Sequence, residues 1–191
     1  MKQLDEVAVW RRAAAGDGDA FGRLFDVHQA RVYRHALRLT SNVHDAEEIL
    51  AGAFLELWRR RSSVRVVDGS ILPWLLVTAG HLALNHGRGL RRYKAFLGRL
   101  PRREPQVDDA ESQALFRADL DVDPALIVAI RALSTTDQHL LALVALEDYT
   151  LRAASQALGI SEQAARSRWQ RIRRRLAQER PADPLALVLE H

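Results

Sequence analysis

The chain has 191 residues, of which 48% are apolar, enough for a hydrophobic core and too many for wholesale disorder. It has no cysteine, which excludes a disulfide scaffold, cysteine-ligated zinc and a cysteine nucleophile. The 28 Lys+Arg against 24 Asp+Glu leave a formal net charge of +4.

Only Lys2 and Lys94 are lysines, so arginine carries nearly all the positive charge. Codon usage in a GC-rich genome accounts for such a bias, and so does phosphate recognition by planar guanidinium forks. The N-terminal residues contain no long apolar stretch, so they do not form a secretory signal. The longest apolar run, 71–84, is interrupted by Pro73 and His81 and falls short of the ~20 residues a membrane helix needs. The expectation is a soluble, cytoplasmic protein.

The pattern is helical nearly throughout. A first helix is predicted over 3–15, stopped by Gly16-Asp17-Gly18. Asp19 is the expected cap of a second, which carries Phe21, Leu24, Phe25, His28, Val32, Ala36 and Leu39 on one face. Thr40-Ser41-Asn42 ends it. A third helix over 45–61 places Ile49, Leu50, Ala53, Phe54, Leu57 and Trp58 together. A loop over 62–69 leads to Ser70, a candidate cap for a fourth helix with Pro73 in its first turn, where proline is tolerated.

The fourth helix runs into a block, 88–103, with seven basic residues and no acid. The next stretch, 104–123, has seven acids and one arginine, and reads as a flexible acidic linker. Structure resumes at Asp123-Pro124, a plausible cap followed by proline at the first helical position. Helices are predicted over 124–133, 136–147, 151–158 and 162–179. The fold class is therefore all-α: two small helical domains, 1–100 and 124–180, joined by a linker, 101–123. Residues 181–191 form a tail whose Leu189-Glu190-His191 end reads as the start of an expression tag.

The segment 149–161 follows helix-turn-helix grammar. Thr150 can cap a short helix whose Ala153, Ala154 and Ala157 let a second helix cross closely. Gly159 stands where a helix ends in a left-handed residue, Ile160 can plug the corner and Ser161 can cap the next helix. That next helix has Ala165, Trp169, Ile172 and Leu176 as a buried stripe, with Arg166, Ser167, Gln170, Arg171, Arg173 and Arg174 off it. A helix with a buried seam and arginine-rich outer faces suits the DNA major groove. A solvated arginine face on a small bundle is the plainer alternative, and the turn grammar favours DNA.

Two ordered blocks resemble the sigma-70 family of transcription initiation factors, in the small extracytoplasmic-function (ECF) group. Gly18-Asp19-Ala20-Phe21-Gly22-Arg23-Leu24-Phe25, Asp45-Ala46-Glu47-Glu48-Ile49-Leu50, Phe54-Leu55-Glu56-Leu57-Trp58 and Pro73-Trp74-Leu75 are similar to that family's region 2. The stretch from Leu133 through Leu158-Gly159-Ile160-Ser161 to Arg166-Ser167-Arg168-Trp169-Gln170-Arg171 is similar to region 4.

The resemblance implies a non-enzymatic factor, without cofactor, that binds core RNA polymerase and directs it to promoters. By position, Arg166, Ser167, Gln170 and Arg171 would face the groove of the upstream (−35) element, with Arg168 and Arg173 as phosphate or packing partners. The downstream (−10) element, single-stranded as the duplex melts, would meet Arg65, Trp74, His81, Asn85, Arg88, Arg91 and Arg92. The third helix would dock on polymerase through Asp45, Glu47, Glu48, Leu50 and Phe54. An anti-sigma protein would cover the polymerase-facing surfaces. Basic grooves with aromatic platforms hold single strands. Trp58 and Trp74 could serve so or pack in the core.

The chain also departs from the family pattern. Ala51-Gly52 stands where a Gln-Glu pair is usual, His81 where Asn is common, and Leu133-Ser134 where Leu-Pro is usual. A mid-helix glycine costs ~1 kcal/mol against alanine, so Gly52 is expected to weaken or alter the polymerase contact. An enzyme is disfavoured by the absence of a Gly-rich phosphate loop, a His-Glu-x-x-His motif or a triad. His81 and His86 are five apart, off one helical face, which disfavours a metal site. A sigma-derived DNA-binding regulator that does not engage polymerase is the competing reading.

Overall fold

A computed structural model describes residues 5–97 and 124–178, with side chains for 5–86 and 126–178. The expected linker and tail lie outside the described residues. Among these the architecture is all-α, and the only strand-like pairing is an isolated Val67–Ser70 bridge.

Helix α1 (Glu6–Ala14) starts at Asp5, whose carboxylate accepts the Ala8 N–H at 3.1 Å. Gly16, at φ 101°, turns the chain. Helix α2 (Gly18–Thr40) is capped by Asp17 rather than Asp19: Asp17 Oδ1 accepts the Ala20 N–H at 3.0 Å. Its other oxygen takes the Arg12 Nε at 2.9 Å. The earlier cap wins because Arg12 comes back across the turn to hold it. The Ala20 N–H first, and then Arg12, keep the Asp17 carboxyl below its ordinary value of 3.8. Its contribution is therefore complete above that value and is lost as the pH falls below it.

Ser41, left-handed at φ 55°, ends α2. Asn42 then caps α3 (Val43–Arg59), accepting the Asp45 N–H at 3.0 Å. Helices α1 and α3 both pack on α2. Leu24, Val32 and Ala36 of α2, with Ala46, Ile49, Ala53 and Leu57 of α3, are fully or nearly fully buried. Aromatic rings close one side edge to face: Phe25 on Phe54 at 4.8 Å, Phe21 on Trp58 at 5.2 Å. His28, also buried, places Nε2 2.9 Å from Glu6 Oε1, which gives a buried polar ring its partner.

Asp68 and Gly69, both at positive φ, make a two-residue turn closed by Val67 N–H to Ser70 O at 2.9 Å and the return bond at 3.0 Å. Ser70 Oγ accepts the Leu72 N–H at 3.1 Å and so caps α4 (Leu72–Leu97), as the sequence suggested. Gly52 lies where α3 meets α4. A Cβ there would come within 3.0 Å of Leu82 Cδ1, closer than side chains normally approach. Gly52 therefore faces α4, which explains a helix interior glycine without invoking the outer surface.

The described residues fall into two compact units, 5–64 with 78–97 and 65–77 with 124–178. In the second, α5 (Pro124–Arg131) begins at its proline. Ser134 caps α6 (Thr135–Leu141), accepting the Asp137 N–H at 3.2 Å. A π-helical turn, Ala142–Leu146, follows, then α7 (Leu151–Leu158) and α8 (Glu162–Gln178). Helix α8 packs against α5, α6 and α7. No described helix is long and apolar enough to cross a membrane.

Overpacking typically costs about 1–3 kcal/mol, so Gly52→Leu is expected to lower unfolding free energy by that amount. Adding Leu82→Ala to the same chain should recover part of the loss. Chemical denaturation of the two variants measures both, and an unchanged Gly52→Leu midpoint would remove the close approach.

Candidate nucleic-acid interface

The helix-turn-helix forms as its grammar requires. Thr150 Oγ1 accepts the Ala153 N–H at 3.1 Å, and Gly159 ends α7 at φ 68°. The Ile160 N–H reaches back to Ser155 O at 3.0 Å. Ser161 Oγ then accepts the Ala164 N–H at 3.1 Å and opens α8. Ala153 and Ala154 are buried, so α7 has no side-chain bulk to hold α8 away.

The stripe Ala165, Trp169, Ile172 and Leu176 is buried. Burying a side chain such as Ile172 contributes about 1.5–3 kcal/mol, so the stripe fixes the rotation of α8 about its axis. That rotation leaves Gln163, Arg166, Ser167, Gln170, Arg171 and Arg174 exposed along one line at helical spacing. Arg173 is also exposed, beside that line.

Arg168 has a different place. It is half-buried and donates through Nη1 to Asp137 Oδ1 at 2.9 Å. The Ser134 hydroxyl donates to the other Asp137 oxygen at 2.7 Å. One carboxylate thus joins the cap of α6 to the middle of α8. Arg175 adds a second tie, from Nη1 to the Ala132 carbonyl at 3.3 Å. Of the two readings open for Arg168, this geometry matches packing.

On α4, Trp74 is half-buried in the first turn, while His81 and Asn85 are exposed. The helix continues through Arg88, Arg91 and Arg92, whose side chains lie outside the described residues. Helical register places positions 81, 85, 88 and 92 along one line. Arg65 is exposed, two residues before the Val67–Ser70 turn. Trp58 has Arg61 over its ring at 4.6 Å and Phe21 against its edge, so it is a packed ring.

The outer face of α3 carries Glu47 and Glu48, with 63% and 74% of their side chains exposed. Asp45 and Glu48 are approached by His86 of α4, at 3.4 and 3.8 Å. Leu50 is half-buried and Phe54 is 4% exposed, so Phe54 supports this face from beneath. Leu55, 50% exposed and in line with Ala51, is not among the docking residues expected from the sequence. Its signal was available: it stands four residues from Ala51 and seven from Glu48, outside the buried stripe. Val128 of α5 is also exposed, at 66%. Among the described residues no group of three or more His, Asp or Glu side chains is arranged to hold a metal ion.

Comparison with known proteins bears on this arrangement. The sequence model of sigma-70 region 2 matches residues 24–93, and that of sigma-70 region 4 matches residues 124–176. The chain belongs to the sigma-70 family. It is 28% identical over 176 residues to the ECF RNA polymerase sigma factor BldN of Streptomyces coelicolor, covering 90% of this chain and 64% of BldN. It is 31% identical over 166 residues to the probable RNA polymerase sigma factor RfaY of Xanthomonas campestris, covering 84% of this chain and 40% of RfaY. The chain thus spans less than two thirds of the length of these curated relatives.

Two solved structures share this fold. CnrH in complex with the cytosolic domain of CnrY has a TM-score of 0.55 at 20% identity, over 92% of this chain and 96% of that one. The sigma factor RpoE of Bartonella quintana, in complex with the anti-sigma factor NepR, has a TM-score of 0.52 at 16% identity, over 83% and 95%.

The tie between α6 and α8 makes a measurable claim. Arg168→Ala and Asp137→Ala should each lower stability by about 1 kcal/mol, and the double variant by less than their sum. Strictly additive losses in a double-mutant cycle would mean that the two side chains are not coupled.

Proposed function

We propose that the chain is an ECF sigma factor. It binds core RNA polymerase, directs it to promoters and promotes melting of the DNA there, with no catalysis of its own and in the cytoplasm. The observation that carries this reading is the outward line of α8, held by a buried seam directly after a helix-turn-helix corner. Such a helix fits the major groove, which is about 12 Å wide and distinguishes all four base pairs.

In this function Arg166, Ser167, Gln170 and Arg171 read the −35 element, and Arg173 meets phosphate. Arg168 serves by fixing α8 to α6 through Asp137. Arg65, Trp74, His81, Asn85, Arg88, Arg91 and Arg92 hold the non-template strand of the −10 element. Cationic and aromatic groups suit that task, because they follow the backbone and stack on bases of any sequence. The α3 face, with Asp45, Glu47, Glu48, Leu50 and Leu55 over Phe54, docks on core polymerase. Residues 1–100 and 124–180 act as separate promoter-facing domains across the linker 101–123.

An anti-sigma protein that covers the α3 face would block polymerase docking. The Bartonella quintana RpoE structure, solved with an anti-sigma factor, supports that kind of control.

Pull-down with core polymerase and run-off transcription from a cognate promoter test the reading. Retention on core and a promoter-dependent transcript are expected. Binding to duplex DNA with no retention on core at low salt would favour a regulator that acts without polymerase. In holoenzyme, Arg171→Ala should weaken −35 recognition by about 1–3 kcal/mol. Promoter affinity equal to the parent's would take Arg171 out of the groove.

A further inference from the structure

Helix α8 carries six arginines and one acid, Glu162, in its first turn. An acid is an unexpected choice on a surface proposed to meet phosphates. Its carboxylate Oε1 lies 2.6 Å from Nη2 of Arg166, one turn later. Both side chains are open to solvent, 42% and 67% exposed, and belong to no packed seam.

An exposed pair at this spacing contributes little to stability. What it does is restrict Arg166. A free arginine samples many rotamers, and its bidentate grip on a base edge loses that freedom on binding. The Glu162 carboxylate accepts from Nη2 of the guanidinium, while the Arg166 side chain stays two-thirds exposed. The N-terminal residues of a recognition helix are also the ones that reach base edges. The negative charge further opposes binding wherever Arg166 does not meet its base, because it then faces phosphate without compensation.

We infer that Glu162 is a specificity-determining positioning residue: it orients the Arg166 guanidinium for one base pair of the −35 element and lowers affinity for all other duplexes. The inference rests on the proposed promoter-reading function. The base that a bidentate arginine recognises is guanine, through O6 and N7. The competing role for an acid at this place is favourable interaction with the helix N-terminus, which acts on stability alone.

The test uses holoenzyme assembled from the full chain and core polymerase, selecting from a duplex library randomised over the −35 region. The variants are Glu162→Gln, Glu162→Asp and Arg166→Ala. The parent is expected to enrich guanine at one position, and Arg166→Ala to lose that preference. Glu162→Gln should reduce it by roughly twofold at that position, leave the other positions unchanged and bind unrelated duplex more tightly. Glu162→Asp keeps the charge but is too short to reach Arg166. It should lose the same preference without the gain in non-specific affinity.

Thermal unfolding of the three variants should match the parent. Parental base preferences in Glu162→Gln or Glu162→Asp overturn the inference, and a lowered Tm with preferences intact assigns Glu162 to helix stability instead. A parent holoenzyme that enriches no upstream sequence overturns the promoter-reading function itself, and this inference with it.

Discussion

The corner at Gly159 governs the C-terminal half of the molecule. Its φ of 68° is a conformation that an L side chain resists by about 1–2 kcal/mol. That turn redirects the chain within three residues, so Ser161 can cap α8 while Ile160 remains bonded to α7. The direction of α8 follows from the corner, and its rotation follows from the Ala165–Trp169–Ile172–Leu176 seam. Once both are set, the six outward positions from Gln163 to Arg174 have no freedom to be anywhere else. A recognition surface is, in this sense, the complement of a packing surface.

The net charge of +4 is a poor guide to such a molecule. It is the remainder after two arginine-rich blocks are offset by an acidic stretch between them. Arginines within one block also do different things. Arg168 is spent on Asp137 and Arg175 on a carbonyl of the α5–α6 connection, whereas Arg171 and Arg174 remain outward. Arg166 is outward but engaged with Glu162. Phosphate affinity grows with every cation, but discrimination among bases needs cations held in one orientation. In the proposed function, fixing some arginines to the scaffold and steering another with an acid serves the second end at some expense to the first.

Much of this was legible in the sequence because the signals were local. Thr150, Gly159 and Ser161 each satisfy a backbone group within three or four residues, and the α8 seam is a simple periodicity. The region 2 and region 4 resemblance was carried by short motifs in order. What escaped was set by contacts distant in sequence or by competition between equal candidates. Asp17 and Asp19 are both good caps, and only the return of Arg12 across the turn decides for Asp17. Gly52 looked like a defect on a docking surface until Leu82, thirty positions away, filled the space beside it. The sequence set Arg168 apart from the groove-facing residues but left phosphate and packing both open, and Asp137, thirty-one positions away, favours packing. Leu55 lies off the buried stripe of α3, and an exposed leucine is not by itself a signal, because much of any folded surface is apolar.

The central claim is that one chain reads two separated promoter elements, with α8 on the upstream duplex and α4 on the melted strand. Site-specific photo-crosslinking in a single holoenzyme–promoter complex addresses it directly, with the crosslinker placed in turn at position 170 and position 85. Position 170 is expected to label the −35 duplex. Position 85 should label the non-template strand of the −10 element. Labelling of the same upstream duplex from both positions, or of no DNA from position 85, would contradict the account.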